Sequence, residues 1–189
     1  MPLNAPLIRN EHEGLLVFLE HQREAIRNTT YGLNENQARL TPAPSGLSLA
    51  GLVKHLTAAE RGWTDRISGV PPSDTAFEDY MASFFLTDDE SLVAVLAEYE
   101  ETCTRTDVAI AQIDDLGRRV PLPEAPWFPD PEMCTVRWIL FHLNQETARH
   151  AGHADIIREA LDGALSEPLM AAVEKWPGDG WVKPWRPTH

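Results

Sequence analysis

Apolar residues recur at three- and four-residue steps along most of this chain, and four stretches hold the pattern long enough for a full helix. The first covers about residues 10–28, where Leu15, Leu16, Phe18, Leu19 and Ile26 supply the stripe and Asn10 with Glu13 has capping-box spacing. The second starts after Ser48 and runs to about Ile67, with Leu49, Leu52, Leu56, Ala59, Trp63 and Ile67 on one side. Thr87-Asp-Asp-Glu90 reads as a capping box that opens the third, through about Ile113, with Leu92, Val95, Leu96, Tyr99 and Ile110 facing inward. Thr135 caps the fourth, and Gly163 ends it. Shorter helical turns are expected at 34–40, where Asn34 and Gln37 repeat the capping spacing, and near 77–84.

No segment alternates with period two over a strand's length, and no internal repeat is visible. The pattern predicts an all-α chain, a four-helix bundle. Its connections, roughly 20 residues each, exceed what antiparallel neighbours need and predict long crossover loops. The expected organisation is a single domain over 1–189, with a bundle core at 8–162 and a tail at 163–189. Trp176, Trp181 and Trp185 lie in that tail among prolines and glycines, which predicts surface packing rather than another element.

Charge narrows the partners. With 189 residues, 43% hydrophobic and 24% charged, the chain suits one well-buried core. A formal charge of −13 leaves no basic stripe for phosphates, so neither nucleic acid nor an anionic membrane is expected as a partner. No run approaches the roughly 20 apolar residues of a membrane span, and a cytoplasmic bacterial protein acting on small molecules is expected. Cys103 and Cys134 lack paired spacing and read as ordinary reduced thiols.

The candidate chemistry lies on the last helix. His142, Glu146, His150 and His153 fall within about 80° of helix rotation, and Glu146 and His150 sit among Ile139, Leu143, Ala154 and Ile157. A carboxylate and an imidazole carried into a core need compensation, which a bound cation supplies. The competing reading pairs Glu146 with Arg149 or Arg39 and leaves the histidines hydrogen-bonded at a helix edge. A second helix would have to complete a metal site. His55 borders the apolar stripe of the second helix, beside Gly51, Ala58, Ala59 and Gly62, small residues that leave room for a ligand.

Two segments, Leu52-Val-Lys-His55-Leu-Thr-Ala-Ala-Glu60-Arg-Gly-Trp63 and Glu146-Thr-Ala-Arg-His150-Ala-Gly-His153-Ala-Asp, resemble the DinB-like metal-binding superfamily. The resemblance spans about residues 8–162. It is strongest to the branch of mycothiol-dependent maleylpyruvate isomerase and thiol S-transferases, because Glu146 stands where most DinB-like proteins have the first histidine of a His-x-x-x-His pair. It implies that His55, Glu146 and His150 hold the metal. Three protein ligands with one open position is the pattern of catalytic zinc, and nickel or iron(II) suits the same donors.

His142, His153, Arg149, Glu60 and Trp63 are then expected to support the ligands or touch substrate, although Trp63 also fits the core stripe. Asp155 and Arg158 read as a solvated pair. The resemblance further implies a thiol S-transferase or isomerase that joins a low-molecular-weight thiol to a small electrophile. Arginine outnumbers lysine 13 to 3, which fits the GC-rich genomes in which mycothiol is the thiol. Two other classes remain at this stage: a metal-binding stress protein without turnover, and a metal-dependent hydrolase. A homodimer through an exposed helix face is compatible with the pattern.

Overall fold

Four long helices make the frame of the computed structural model, which describes residues 4–71, 76–123, 128 and 133–187. They are α1 (Glu11–Thr29), α3 (Leu49–Ile67), α5 (Leu92–Ala111) and α6 (Val136–Asp162). Between and after them come α2 (Glu35–Arg39), α4 (Ala76–Ala82), α7 (Ser166–Val173) and an antiparallel pair of β1 (Arg119–Pro121) and β2 (Met133–Thr135). The all-α bundle expected from the apolar periodicity is the fold observed.

Caps set most of the boundaries. Ser48 accepts from the Gly51 N–H, Thr135 from the Trp138 N–H, and Gly163 closes α6 in the left-handed conformation at φ 75°. Asn34 and Gln37 form the full reciprocal box. The expected box at Thr87 is corrected: α5 begins at Leu92, with Ser91 as its cap. Thr87 donates its hydroxyl to Asp89, while Glu90 accepts from the Thr87 N–H and also pairs with Lys54 at 2.7 Å. The motif therefore builds a turn. The carboxylate of Glu35, accepting from the Leu92 N–H at 2.7 Å, pins the true helix start.

Two further expectations change. The β1–β2 ladder has three residues per strand, with Val120 opposite Cys134, too short for alternation to show. The tail is not wholly irregular, because α7 buries Leu169, Met170 and Ala171. Beyond it Trp185 packs edge-on against Tyr31 and lies over the Arg158 guanidinium at 4.6 Å. Under that cover Arg158 is buried rather than solvated. It pairs with Asp162, not Asp155, and donates to the carbonyls of Thr29 and Tyr31 at the end of α1. Of the prolines in the loop after α5, Pro126, Pro129 and Pro131 lie outside the described residues, as do Pro72 and the chain's last two residues.

Helix directions follow from the cross-helix pairs. Arg137–Glu11, Asn144–Leu15 and Arg158–Thr29 show α6 parallel to α1. Lys54–Glu90, Arg61–Glu98 and Thr64–Thr106 show α5 parallel to α3. Parallel neighbours cannot be joined by a tight turn, so the chain between α3 and α5 must run back along the bundle. That return segment carries α4.

The core divides into two apolar blocks. Leu15, Leu19, Trp63, Ile67, Ile110, Ile139, Leu140 and Leu143 fill one; Ile26, Leu52, Leu56, Val95, Tyr99, Ala151, Ala154 and Ile157 fill the other. Between them runs a polar layer of Arg23, Glu60, Thr64, Thr106 and Thr147, all buried. Arg23 donates Nε at 3.2 Å and Nη2 at 2.5 Å to the two oxygens of Glu60, and its Nη1 reaches Asp107 and Glu20. Glu60 is therefore held inside the bundle by Arg23. Truncating one partner of such a pair leaves an uncompensated buried charge, so Glu60→Ala is expected to cost about 3 kcal/mol in denaturant unfolding. A loss below about 1 kcal/mol, the scale of an exposed ion pair, would show that Arg23 is satisfied without Glu60.

Candidate metal centre

The packing of α3 against α6 brings His55, Glu146 and His150 together, and one donor atom of each lies within 4.8 Å of the other two. The i, i+4 spacing places Glu146 and His150 on successive turns of α6, and His55 meets them from the facing helix. His55 Nε2 and His150 Nε2 both stand 3.4 Å from Glu146 Oε1. His55 is fully buried, His150 nearly so, and Glu146 is 18% exposed.

Hydrogen bonding around His55 decides what those contacts mean. Ser83 spends its one hydroxyl proton on the Tyr80 carbonyl at 2.5 Å, so at 3.0 Å from His55 Nδ1 it accepts. His55 therefore carries its proton on Nδ1 and directs Nε2 at Glu146. Burial pushes the imidazole below its ordinary pKa, which favours the neutral ring and a lone pair on Nε2. Glu146 is meanwhile held far below the usual carboxylate range, first by its hydrogen bond with His150. A lone pair facing a carboxylate is repulsive unless a cation lies between them.

The donor set fits such a cation. Two imidazoles and a carboxylate are borderline ligands for zinc, nickel or iron(II). A tetrahedron with metal–ligand arms of about 2.1 Å has edges of about 3.4 Å, and both histidine–glutamate separations match that edge. Ser83 plays the part that a hydrogen-bonding partner commonly plays for a ligating histidine, fixing tautomer and ring orientation.

Loop residues complete the setting. Phe84 stacks on His55 with centroids 3.7 Å apart and planes 16° from parallel, and Tyr80 meets the same ring edge-on at 5.0 Å. Ser83 and Phe84 reach this position because α3 has glycine at 51. A methyl group there would sit 2.2 Å from the Phe84 carbonyl oxygen. Gly51 therefore admits the returning chain, where its small size had suggested ligand space. The sequence signals were an aromatic pair at i, i+4, Tyr80 and Phe84, around a serine in a loop, and a glycine in a helical first turn.

The remaining candidates occupy different places. His153 lies beyond His150, with the two Nδ1 atoms 3.4 Å apart. His142 stacks on Trp138 and meets Trp63 edge-on. Trp63 is buried in the core as well as touching that stack. Glu60 belongs to the Arg23 pair, and Arg149 is exposed on α6. Arg39 bonds Glu35, which removes it as the partner of Glu146. Both cysteines are free and buried, and burial raises their pKa values, so neither is poised as a nucleophile.

Two outcomes test the centre. Glu146→Ala and His150→Ala are each expected to remove most of the zinc found in the untagged wild-type protein by elemental analysis; full zinc in either variant would place the ion elsewhere. Gly51→Ala is expected to displace Phe84 and Ser83 and weaken zinc binding by about tenfold without altering a ligand. Unchanged affinity in a chelator competition would separate the Ser83 contact from metal binding.

A conserved protein from Enterococcus faecalis shares the fold at a TM-score of 0.60, with 16% identity over 83% of this chain and 100% of that one. No curated protein sequence matches the chain. Among the described residues, no helix is long and apolar enough to cross a membrane. The mycothiol-S-transferase family model matches residues 14–163, from the first turn of α1 through the cap of α6, and includes all three clustered ligand candidates. The chain belongs to the mycothiol-S-transferase family, within the DinB-like superfamily.

Proposed function

We propose that this chain is a divalent-metal-dependent thiol S-transferase, with mycothiol as the thiol, zinc as the metal and a small electrophile as the second substrate. The observation that carries the reading is the His55, Glu146, His150 cluster, whose tautomer and charge call for a cation, in a chain of this family. A metal held there lowers the pKa of a bound thiol and keeps its sulfur as thiolate.

The chain's own residues supply the rest. Glu146 contributes the negative charge that offsets the cation, Ser83 holds the His55 ring in place, and Phe84 covers that ring from the loop side. With its proton released to water, the sulfur attacks an electrophilic carbon. A carbon–sulfur bond forms, and either a leaving group departs with its electron pair or, after addition to a conjugated double bond, the neighbouring carbon takes a proton. An isomerase would use the same addition, rotate the adduct and expel the thiol. Three ligands without His153 leave a coordination position for substrate, which favours turnover over a closed storage site. The unit of function in this reading is one domain over residues 1–189, working in the bacterial cytoplasm.

Zinc-loaded protein incubated with mycothiol and iodoacetamide is expected to yield the S-conjugate, followed by mass spectrometry, and His55→Ala is expected to reduce the rate to the uncatalysed background. Full activity in His55→Ala would remove that residue from the mechanism. Cleavage of an activated ester without thiol, and no conjugate with it, would replace the transferase by a hydrolase.

A further inference from the structure

The contact between α3 and α6 does not end at the histidine–carboxylate cluster. On α6, Trp138 and His142 precede Glu146 in one i, i+4 row, so the two rings stand two turns and one turn from the ligand. The helical rise puts them about 12 Å and about 6 Å along the axis from Glu146. Their planes lie 9° from parallel with centroids 5.2 Å apart. Trp63, two turns beyond His55 on α3, closes edge-on against both, at 5.6 Å from Trp138 and 5.2 Å from His142.

This geometry is that of a braced wall. A parallel stack with a third ring set at 62° and 70° to it loses contacts if any member turns. Trp63 is buried and anchors the group to the core, whereas Trp138, met edge-on by Phe128 at 6.3 Å, still leaves 40% of its surface open. Between His55 and Trp63, α3 places only Ala59 and, on an exposed turn, Gly62, around whose missing side chain there is open space. Cluster and wall are thus neighbours along the same pair of helices, with His142 one turn from Glu146.

We infer that the Trp138, His142 and Trp63 stack is the electrophile subsite, and that the preferred electrophile is a planar, electron-poor conjugated molecule. The inference rests on the transferase reading above. An electron-poor ring is both a good target for sulfur and a good stacking partner for electron-rich indole, so one molecular property serves recognition and reaction. The spacing of about 6 to 12 Å along the helix lets a body of one or two rings lie on the wall while its reactive edge reaches the cluster.

The test compares two ligands on the zinc-loaded full chain by calorimetry: S-(2,4-dinitrophenyl)-N-acetylcysteine, a planar conjugate, and S-(carbamoylmethyl)-N-acetylcysteine, a conjugate without a ring. Wild type is expected to bind the planar conjugate more tightly. Trp138→Leu is expected to reduce that preference about tenfold, the size of one aromatic contact, and Trp138→Phe to restore most of it. His142→Leu provides the same test should Trp138→Leu fail to fold, and zinc content checks that each variant retains the cluster.

Equal binding of the two conjugates by wild type, or an equal loss of both in Trp138→Leu and His142→Leu, overturns the subsite. Turnover separates the two proposals. In wild-type assays with mycothiol, sulfur displaces chloride from 1-chloro-2,4-dinitrobenzene and iodide from iodoacetamide. Conjugation of both, with a substrate ratio unmoved in Trp138→Leu, leaves the transferase standing and removes the subsite. A Trp138-dependent preference in binding with no turnover of either leaves a planar-ligand wall and removes the transferase.

Discussion

One carboxylate sets the terms for the centre of this bundle. Glu146 lies where an apolar residue would pack, facing two imidazoles, and one of those imidazoles is compelled by Ser83 to point a lone pair at it. An apolar core offers nothing to compensate that arrangement, and a divalent cation would resolve it. The same level of the bundle is crossed by the Arg23–Glu60 pair, so the apolar blocks meet across a layer of charge at two places. Compensation is internal in the Arg23–Glu60 pair. At Glu146 a bound cation would supply it, which is why the His55, Glu146, His150 cluster is compatible with a metal site.

The two carboxylates also show why similar sequence contexts give different outcomes. Both sit on inward faces of long helices. Glu60 finds a guanidinium whose five donors can be shared among Glu60, Glu20 and Asp107. Glu146 finds rings whose nitrogens each offer one bond, and one of these is already committed to the loop. Lone-pair supply, rather than charge count, is what makes the second set compatible with a metal.

Much of this was legible along the chain. Four amphipathic stripes gave four helices, and the row from His142 to His153 pointed to the α6 side of the cluster because a 3.6-residue period fixes which side chains share a face. His55 could be chosen because it borders the stripe of α3. What stayed hidden was non-local. Thr87 and Glu90 have capping-box spacing, yet Lys54 and Asp89 compete for their hydrogen bonds and the helix starts later. Asp155 and Arg158 have pairing distance, but the cover from Trp185 and α1 sends Arg158 to Asp162. Ser83 and Phe84 could not be assigned to the centre from a loop whose path depends on one glycine in a different helix.

That glycine ties topology to chemistry. Because α3 and α5 run parallel, the chain must make a long return between them, and the bundle seats this obligatory return on Gly51 with Ser83 and Phe84 turned toward His55. If the cluster holds a cation, seating the return and binding that cation are thermodynamically linked: the cation favours the seated return by the same coupling free energy by which the seated return favours the cation. Residues along that stretch could then adjust affinity for a cation while His55, Glu146 and His150 all stay the same, so a change in the return far from the donor atoms would be felt at the cluster.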